Sequence, residues 1–213
     1  MSPQEMLSIF LNHNSVHKSQ EKIFTDGSKS RGGVGCALLY KQNSYQARLS
    51  NKASVFTAEM TAIIESLKVI NQSNKETFVI YSDSYSAVSA LDQYNSFHPL
   101  VQKAQEWLFR LHIKFKKIHF CWIPSHVGIH QNEVVDQEAK EAVKLPSINI
   151  NFIPTIDMKG PIKQYILCKW HRQWNSPQLL TNLKYRNIRS SVETWSSSFQ
   201  PPQMPSPCRG WGA

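Results

Sequence analysis

Residues 23–28 read IFTDGS and residues 80–87 read IYSDSYSA, so Asp26 and Asp83 each end a run of strand-favouring residues. A lone aspartate there is most simply a turn residue in solvent. Two of them on neighbouring strands can instead be held together for chemistry. Glu59, early in an amphipathic stretch, and Asp136, one turn after Asn132 in another, add two more acids. The dipole at a helix N-terminus accounts for Glu59 taken alone, at a few tenths to about 1 kcal/mol. It does not account for four acids brought to one edge of a sheet. Carboxylates at close range raise one another's pKa unless cations lie among them. Hard divalent ions such as Mg²⁺, with oxygen ligands, resolve that repulsion. Two such ions about 3.5–4 Å apart can activate a water and stabilise the leaving oxygen of a phosphodiester. The pattern predicts a metal nuclease, and the chain carries no GxSxG nucleophile motif.

The elements that must place these acids are legible in the hydrophobic period. KIFTDG, GGVGCALLYK (32–41) and NSYQARLS (43–50) read as three strands of an antiparallel meander, the second entered through glycines. In residues 54–73 the period becomes helical, with Met60, Ile63, Ile64, Leu67 and Ile70 on one face and Ser54 as N-cap. TFVIYSD (77–83) returns to strand, followed by helices over 84–94 and 98–114, a fifth strand over 117–124 and a last helix over 132–145. The expected fold is α/β, a five-stranded mixed sheet flanked by helices. Strand four must lie parallel beside a central strand one for Asp26 and Asp83 to meet.

Composition sets the outer limits. The chain has 213 residues, 41% hydrophobic and 18% charged, a balance that suits one globular domain with flanking segments. No run approaches the roughly 18 apolar residues of a membrane helix, and the first residues lack a signal-peptide pattern, so an intracellular protein is expected. Cys36, Cys121, Cys168 and Cys208 form no CxxC pair, and with Cys36 and Cys121 inside apolar strand-like runs they read as buried, inert thiols. Residues 1–20 show no sustained period and read as a leader or linker. Residues 21–145 read as the catalytic domain, with 16 Lys and Arg against 13 Asp and Glu over 1–145. Residues 146–213 carry 8 against 2, begin like a linker, continue as a helix over 161–175 and end Ser- and Pro-rich. This basic extension is expected to be partly disordered and, with its +6, to favour a polyanionic partner.

The segments FTDGSKSRGGVGCALL, FTAEMTAIIESL, IYSDSYSAVSAL and CWIPSHVGIHQNEVVDQEAKEA, in that order over residues 21–145, resemble the type 1 ribonuclease H family. The resemblance is specifically to the ribonuclease H domain of non-LTR retrotransposon polyproteins. It implies an α/β ribonuclease H-like fold and hydrolysis of the RNA strand of RNA–DNA hybrids with two Mg²⁺ ions, Mn²⁺ being able to substitute. It places the acidic motif, as metal ligands and catalytic residues, on Asp26, Glu59, Asp83 and Asp136. It places the family's mobile-loop histidine on His126, ten residues before Asp136, where an imidazole can move protons or help product leave. A reverse transcriptase module is implied as a partner on a neighbouring segment, since no YxDD motif occurs here.

The chain departs from that pattern at Gln131, where Gly is usual, and at Val135, where Ala is usual. Residues 92–112 hold only Lys103 and Arg110 among Lys and Arg, so the basic handle of cellular members is missing and grip must come from elsewhere. Gly27 and Ser28 are read as a close approach to RNA, or as a turn closing strand one. Asn132 is read as a substrate contact, or more simply as an N-cap. Lys114, Lys116 and Lys117 can track phosphates or merely line a solvated edge, and Trp170 and Trp174 can stack on bases or seal a small core. The alternative function is a degenerate retroelement remnant that binds nucleic acid without cutting. A third reading, another nuclease or integrase of the superfamily, keeps the acids and changes the substrate.

Overall fold

A computed structural model describes residues 2–174 of the chain. Its sheet has five strands, β1 (Glu21–Ser30), β2 (Gly33–Tyr40), β3 (Asn43–Leu49), β4 (Thr77–Ser82) and β5 (Lys117–Trp122), in the order β3-β2-β1-β4-β5. The first three strands are antiparallel, and β4 and β5 run parallel to β1. The mixed sheet and the central β1 are as the sequence predicts. Asp26, however, does not end its strand. β1 continues to Ser30 because it stays paired with β2 as far as Gly33, while its pairing with β4 stops at Thr25 and Ser82. Asp26 therefore stands where β1 loses one neighbour and keeps the other.

One face of the sheet carries α2 (Val55–Gln72), α3 (Tyr85–Leu91) and α4 (Pro99–Ile113). Met60, Ile63, Ile64, Leu67 and Ile70 of α2 are buried against Ile23, Phe78 and Ile80 of the strands and against Leu100, Val101, Ala104 and Leu111 of α4. Ser54 caps α2 as expected, its hydroxyl accepting the Thr57 N–H at 3.1 Å. On the other face α5 (His130–Ala142) packs over β1, β2 and β3 through Val135, Ala139 and Ala142.

The β4 side of that second face is closed by residues that the sequence alone presents as a leader. Pro3–Val16 form a helix, α1, started by a capping box in which the Ser2 hydroxyl accepts the Glu5 N–H and the Glu5 carboxylate accepts the Ser2 N–H. Phe10 is buried edge-on against Tyr81, their ring centroids 5.4 Å apart, and Tyr81 stacks on Phe24. Leu7 joins the same cluster. The segment shows no clear period because few apolar residues of α1 face inward among Ser, Asn and His. Phe10→Ala should cost about 3 kcal/mol by the usual Phe-to-Ala range. At roughly 2–4 °C per kcal/mol, a melt of the full chain should fall by about 6–12 °C; an unchanged melt would mean that α1 does not hold the sheet.

Residues 146–158 are likewise more than a linker. Ile150 bridges to Leu49 alongside β3, and the Asn149 side chain accepts the Arg48 N–H at 2.9 Å. Asp157, in a 3-10 turn over Thr155–Met158, accepts the Ser54 N–H at 2.8 Å and the Thr57 hydroxyl at 2.6 Å at the start of α2. A carboxylate there is favoured by the helix dipole. Contacts divide the chain after Lys159. The second unit contains most of α6 (Lys159–Trp174), close to the helix expected over 161–175. No residue of α6 is buried, so Trp170 and Trp174 seal no core among the described residues. The Ser- and Pro-rich end, Cys208 and the rest of 175–213 lie outside the described residues. Among the described residues no helix is long and apolar enough to cross a membrane.

Candidate active site

β1, β4 and α2 converge on three acids. Asp26 and Glu59 are each 6% exposed, and Asp83 is half-buried just past β4. One carboxylate oxygen from each lies within 4.8 Å of the other two. Asp83 is fixed through its backbone, its carbonyl accepting the Trp122 indole N–H at 2.9 Å and the Tyr85 N–H at 3.1 Å. Ser84 then caps α3, turning the chain sharply away from the sheet.

Gly27 explains how α2 comes so near. It lies inside β1, paired with Cys36, and is not a turn residue. A side chain there would begin 2.5 Å from the Glu59 nitrogen and 2.9 Å from the Ala58 carbonyl carbon. The missing Cβ lets the α2 backbone rest on β1 and brings Glu59 to Asp26. Ser28 follows on the same side of the strand as Asp26.

The electrostatics are those of acids crowded together. Burial pushes Asp26 up to about 7, helped by the charges of Asp83 and Asp136 and opposed by the Gly27 N–H. Burial, then Asp26 and Asp83, drives Glu59 well above the ordinary range. One Glu59 oxygen, Oε2, is buried with no hydrogen-bond partner. An all-oxygen donor set with an orphaned buried carboxylate oxygen fits a hard divalent cation. Carboxyls raised in the folded state are stabilising when protonated; that contribution is present below about pH 4 and is lost as pH rises through about 7. Without divalent ions the parent should therefore lose more stability from pH 5 to 8 than Asp26→Asn does. Melts of both proteins in EDTA across that range check it, and parallel curves would contradict it.

Asp136 stands on α5 outside the tight trio. Its charge contributes to raising Asp26, but its Oδ2 is held 2.6 Å from the Lys140 ammonium one turn on. Sequence reasoning passed over that partner, although i,i+4 spacing on a helix makes it readable. Asn132 is buried on the first turn of α5 with its Oδ1 unpartnered. It is not the N-cap; Ile129 holds that position without a side-chain bond. His126 is exposed in the left-handed region at φ 55°. Its loop leaves the sheet after Trp122, which pairs with Ser82, so it departs from the same end as Asp83. Ile123 and Ile129 anchor the loop in the core on either side. Val135 is fully buried in the same cluster, so its extra methyl groups have a packing place.

The lysines at 114, 116 and 117 are elsewhere. Lys117 pairs with Thr77 at the opposite end of β4 from Asp83, and Lys116 donates to the Ser73 and Lys75 carbonyls. Lys114 donates to the Asn71 side chain. Lys114 and Lys116 tie the α4–β5 turn to the end of α2 and the residues just after it, Lys117 starts β5 beside Thr77, and all three lie at the far end of β4 from Asp83. Of the thiols expected to be buried, Cys36 is, with its thiol pushed far up by that burial, whereas Cys121 is half-buried and Cys168 is exposed because α6 buries no side chain.

Comparison with known proteins bears on this geometry directly. Residues 18–144 match the family model described as RNase H. The chain belongs to the ribonuclease H family. Its relatives include the ribonuclease H of Haemophilus influenzae, 29% identical over 150 residues that cover 62% of this chain and 94% of that protein. The ribonuclease H of Blochmanniella floridana is 31% identical over 148 residues, 60% of this chain and 85% of its own length. That of Actinobacillus succinogenes is 26% identical over 152 residues, 62% and 94% of the two chains. In this ribonuclease H domain the α1 helix precedes the family-matched segment and yet fills part of its core.

Proposed function

We propose that this ribonuclease H domain hydrolyses the RNA strand of RNA–DNA hybrids with divalent metal ions. The observation that carries the reading is the buried trio of Asp26, Glu59 and Asp83 within 4.8 Å, with Asp136 beside it. These four acids would hold two ions, Mg²⁺ first and Mn²⁺ able to replace it. Bound there, the ions supply an activated water and charge stabilisation at the leaving oxygen. The chain's own groups then have separate tasks. Asp83 is oriented by the Trp122 and Tyr85 N–H groups on its carbonyl. Asn132 and Ser28 are offered to the substrate, as is the backbone around Gly27, where a 2′-hydroxyl distinguishes RNA from DNA. His126, exposed on its loop, moves a proton or aids product release.

The retroelement origin is part of the proposal and rests on the sequence segments over 21–145. On that reading a reverse transcriptase module is the natural partner, supplying hybrids inside the cell. A second reading has one observation in its favour. The Lys140 ammonium already occupies an oxygen of Asp136, which suits a domain that binds nucleic acid without cutting it. The deciding assay is a labelled RNA–DNA hybrid with purified full chain in Mg²⁺, in Mn²⁺ and in EDTA. Metal-dependent cutting of the RNA strand supports the nuclease. Binding without cutting in both metals supports the remnant.

A further inference from the structure

A groove of about 470 Å³ lies between β1 and α5, lined by Ser28, Ser30, Arg48, Lys140 and Lys144 over Gly32 and Val143. Alternation along β1 puts Asp26, Ser28 and Ser30 on one side of the strand. Spacing of four along α5 and its end puts Asp136, Lys140 and Lys144 in a row. Past the acids, then, β1 brings Ser28 and Ser30 to the groove, and α5 with the turn after it brings Lys140 and Lys144. The steps are roughly 6 Å on both walls, close to the distance between successive phosphates along a strand.

We propose that this groove is a phosphate track that grips the sugar-phosphate backbone of the nucleic acid beside the cutting site. It rests on the hybrid-cleaving reading and supplies the grip that a basic handle would otherwise give. No acidic residue is among those lining it. Lys140 and Lys144 are paired with Asp136 at 2.6 Å and Glu141 at 2.7 Å, but their side chains are 49% and 70% exposed. Such pairs are weak and salt-screened, so phosphate oxygens can replace the carboxylates as partners. Arg48 is the fixed member. Its guanidinium donates to the Leu145 and Gly32 carbonyls, and its Nε is buried without a partner. Ser28 and Ser30 add hydroxyl donors suited to the same oxygens.

The test reads binding rather than cleavage. Anisotropy of a short labelled RNA–DNA hybrid is followed in EDTA over a salt series, with the full chain. Lys140→Gln with Lys144→Gln should weaken binding about tenfold and flatten the plot of log affinity against log salt by about 1–2, since each phosphate contact contributes nearly one. Lys140→Arg with Lys144→Arg should restore both. Lys103→Gln, on α4, removes a charge elsewhere and should leave the slope unchanged. Parent-like binding by the glutamine pair, in a folded protein, overturns the track while leaving the nuclease reading intact. An equal loss in Lys103→Gln reduces the effect to net charge and also overturns it. No binding by the parent overturns the track and the hybrid reading together.

Discussion

Asp83→Asn should melt like the parent in EDTA and cut an RNA–DNA hybrid more than about 100-fold more slowly. Loss of outer-sphere partners of a metal site already costs about 10–100-fold, so loss of a direct oxygen ligand should exceed that. The amide keeps the shape of the side chain, and the contacts that fix Asp83 come from its backbone carbonyl to Trp122 and Tyr85, which the substitution leaves alone. Asp83 is also one of the charges pushing Asp26 and Glu59 up. Removing it relieves repulsion, so the metal-free protein should be no less stable. The stabilisation that Mg²⁺ gives the parent should be lost with the activity. Parent-like turnover in Asp83→Asn, or a full Mg²⁺-induced rise in melting temperature, would defeat the assignment of Asp83 as a ligand.

Gly27→Ala should damage both fold and site although it adds only one methyl group. The new Cβ would meet backbone and side chain of α2 at 2.5–2.9 Å, too close for any rotamer change to relieve. Either β1 or α2 must move. Overpacking of this kind typically costs 1–3 kcal/mol, about 2–12 °C in melting temperature at 2–4 °C per kcal/mol. The movement opens the gap between Asp26 and Glu59, so cleavage should fall further than stability alone explains. Thermal melts and initial rates, taken well below the melting point, separate the two effects. A rate and melting point matching the parent's would show that α2 does not depend on this close approach.

The acids, the strands and the apolar faces of α2, α4 and α5 could be read in the sequence because each is a local pattern. Met60 to Ile70 repeat at helical spacing, and Ser54 caps the helix they form. IFTD and IYSD carry their acids at the end of apolar runs, and parallel pairing of β1 with β4 is enough to bring Asp26 and Asp83 together. What the tertiary structure alone decided depends on contacts between segments distant in the chain. Asp26 lies within its strand because β2 holds β1 as far as Ser30, whereas β4 holds it only as far as Thr25. Gly27 is a packing glycine because α2 crosses it at Glu59. α1 lies on the sheet with Phe10 in the core because β4 leaves Tyr81 to be covered, a need that residues 1–20 do not announce. Lys114, Lys116 and Lys117 form a basic cluster in the sequence, but strand direction sends them to the far end of the sheet from the acids. Lys140, unremarked among the charges of α5, is placed by the helix turn on Asp136 and at the head of the groove. Residue type and period fix what each segment can become; register and strand direction decide which side chains share a site.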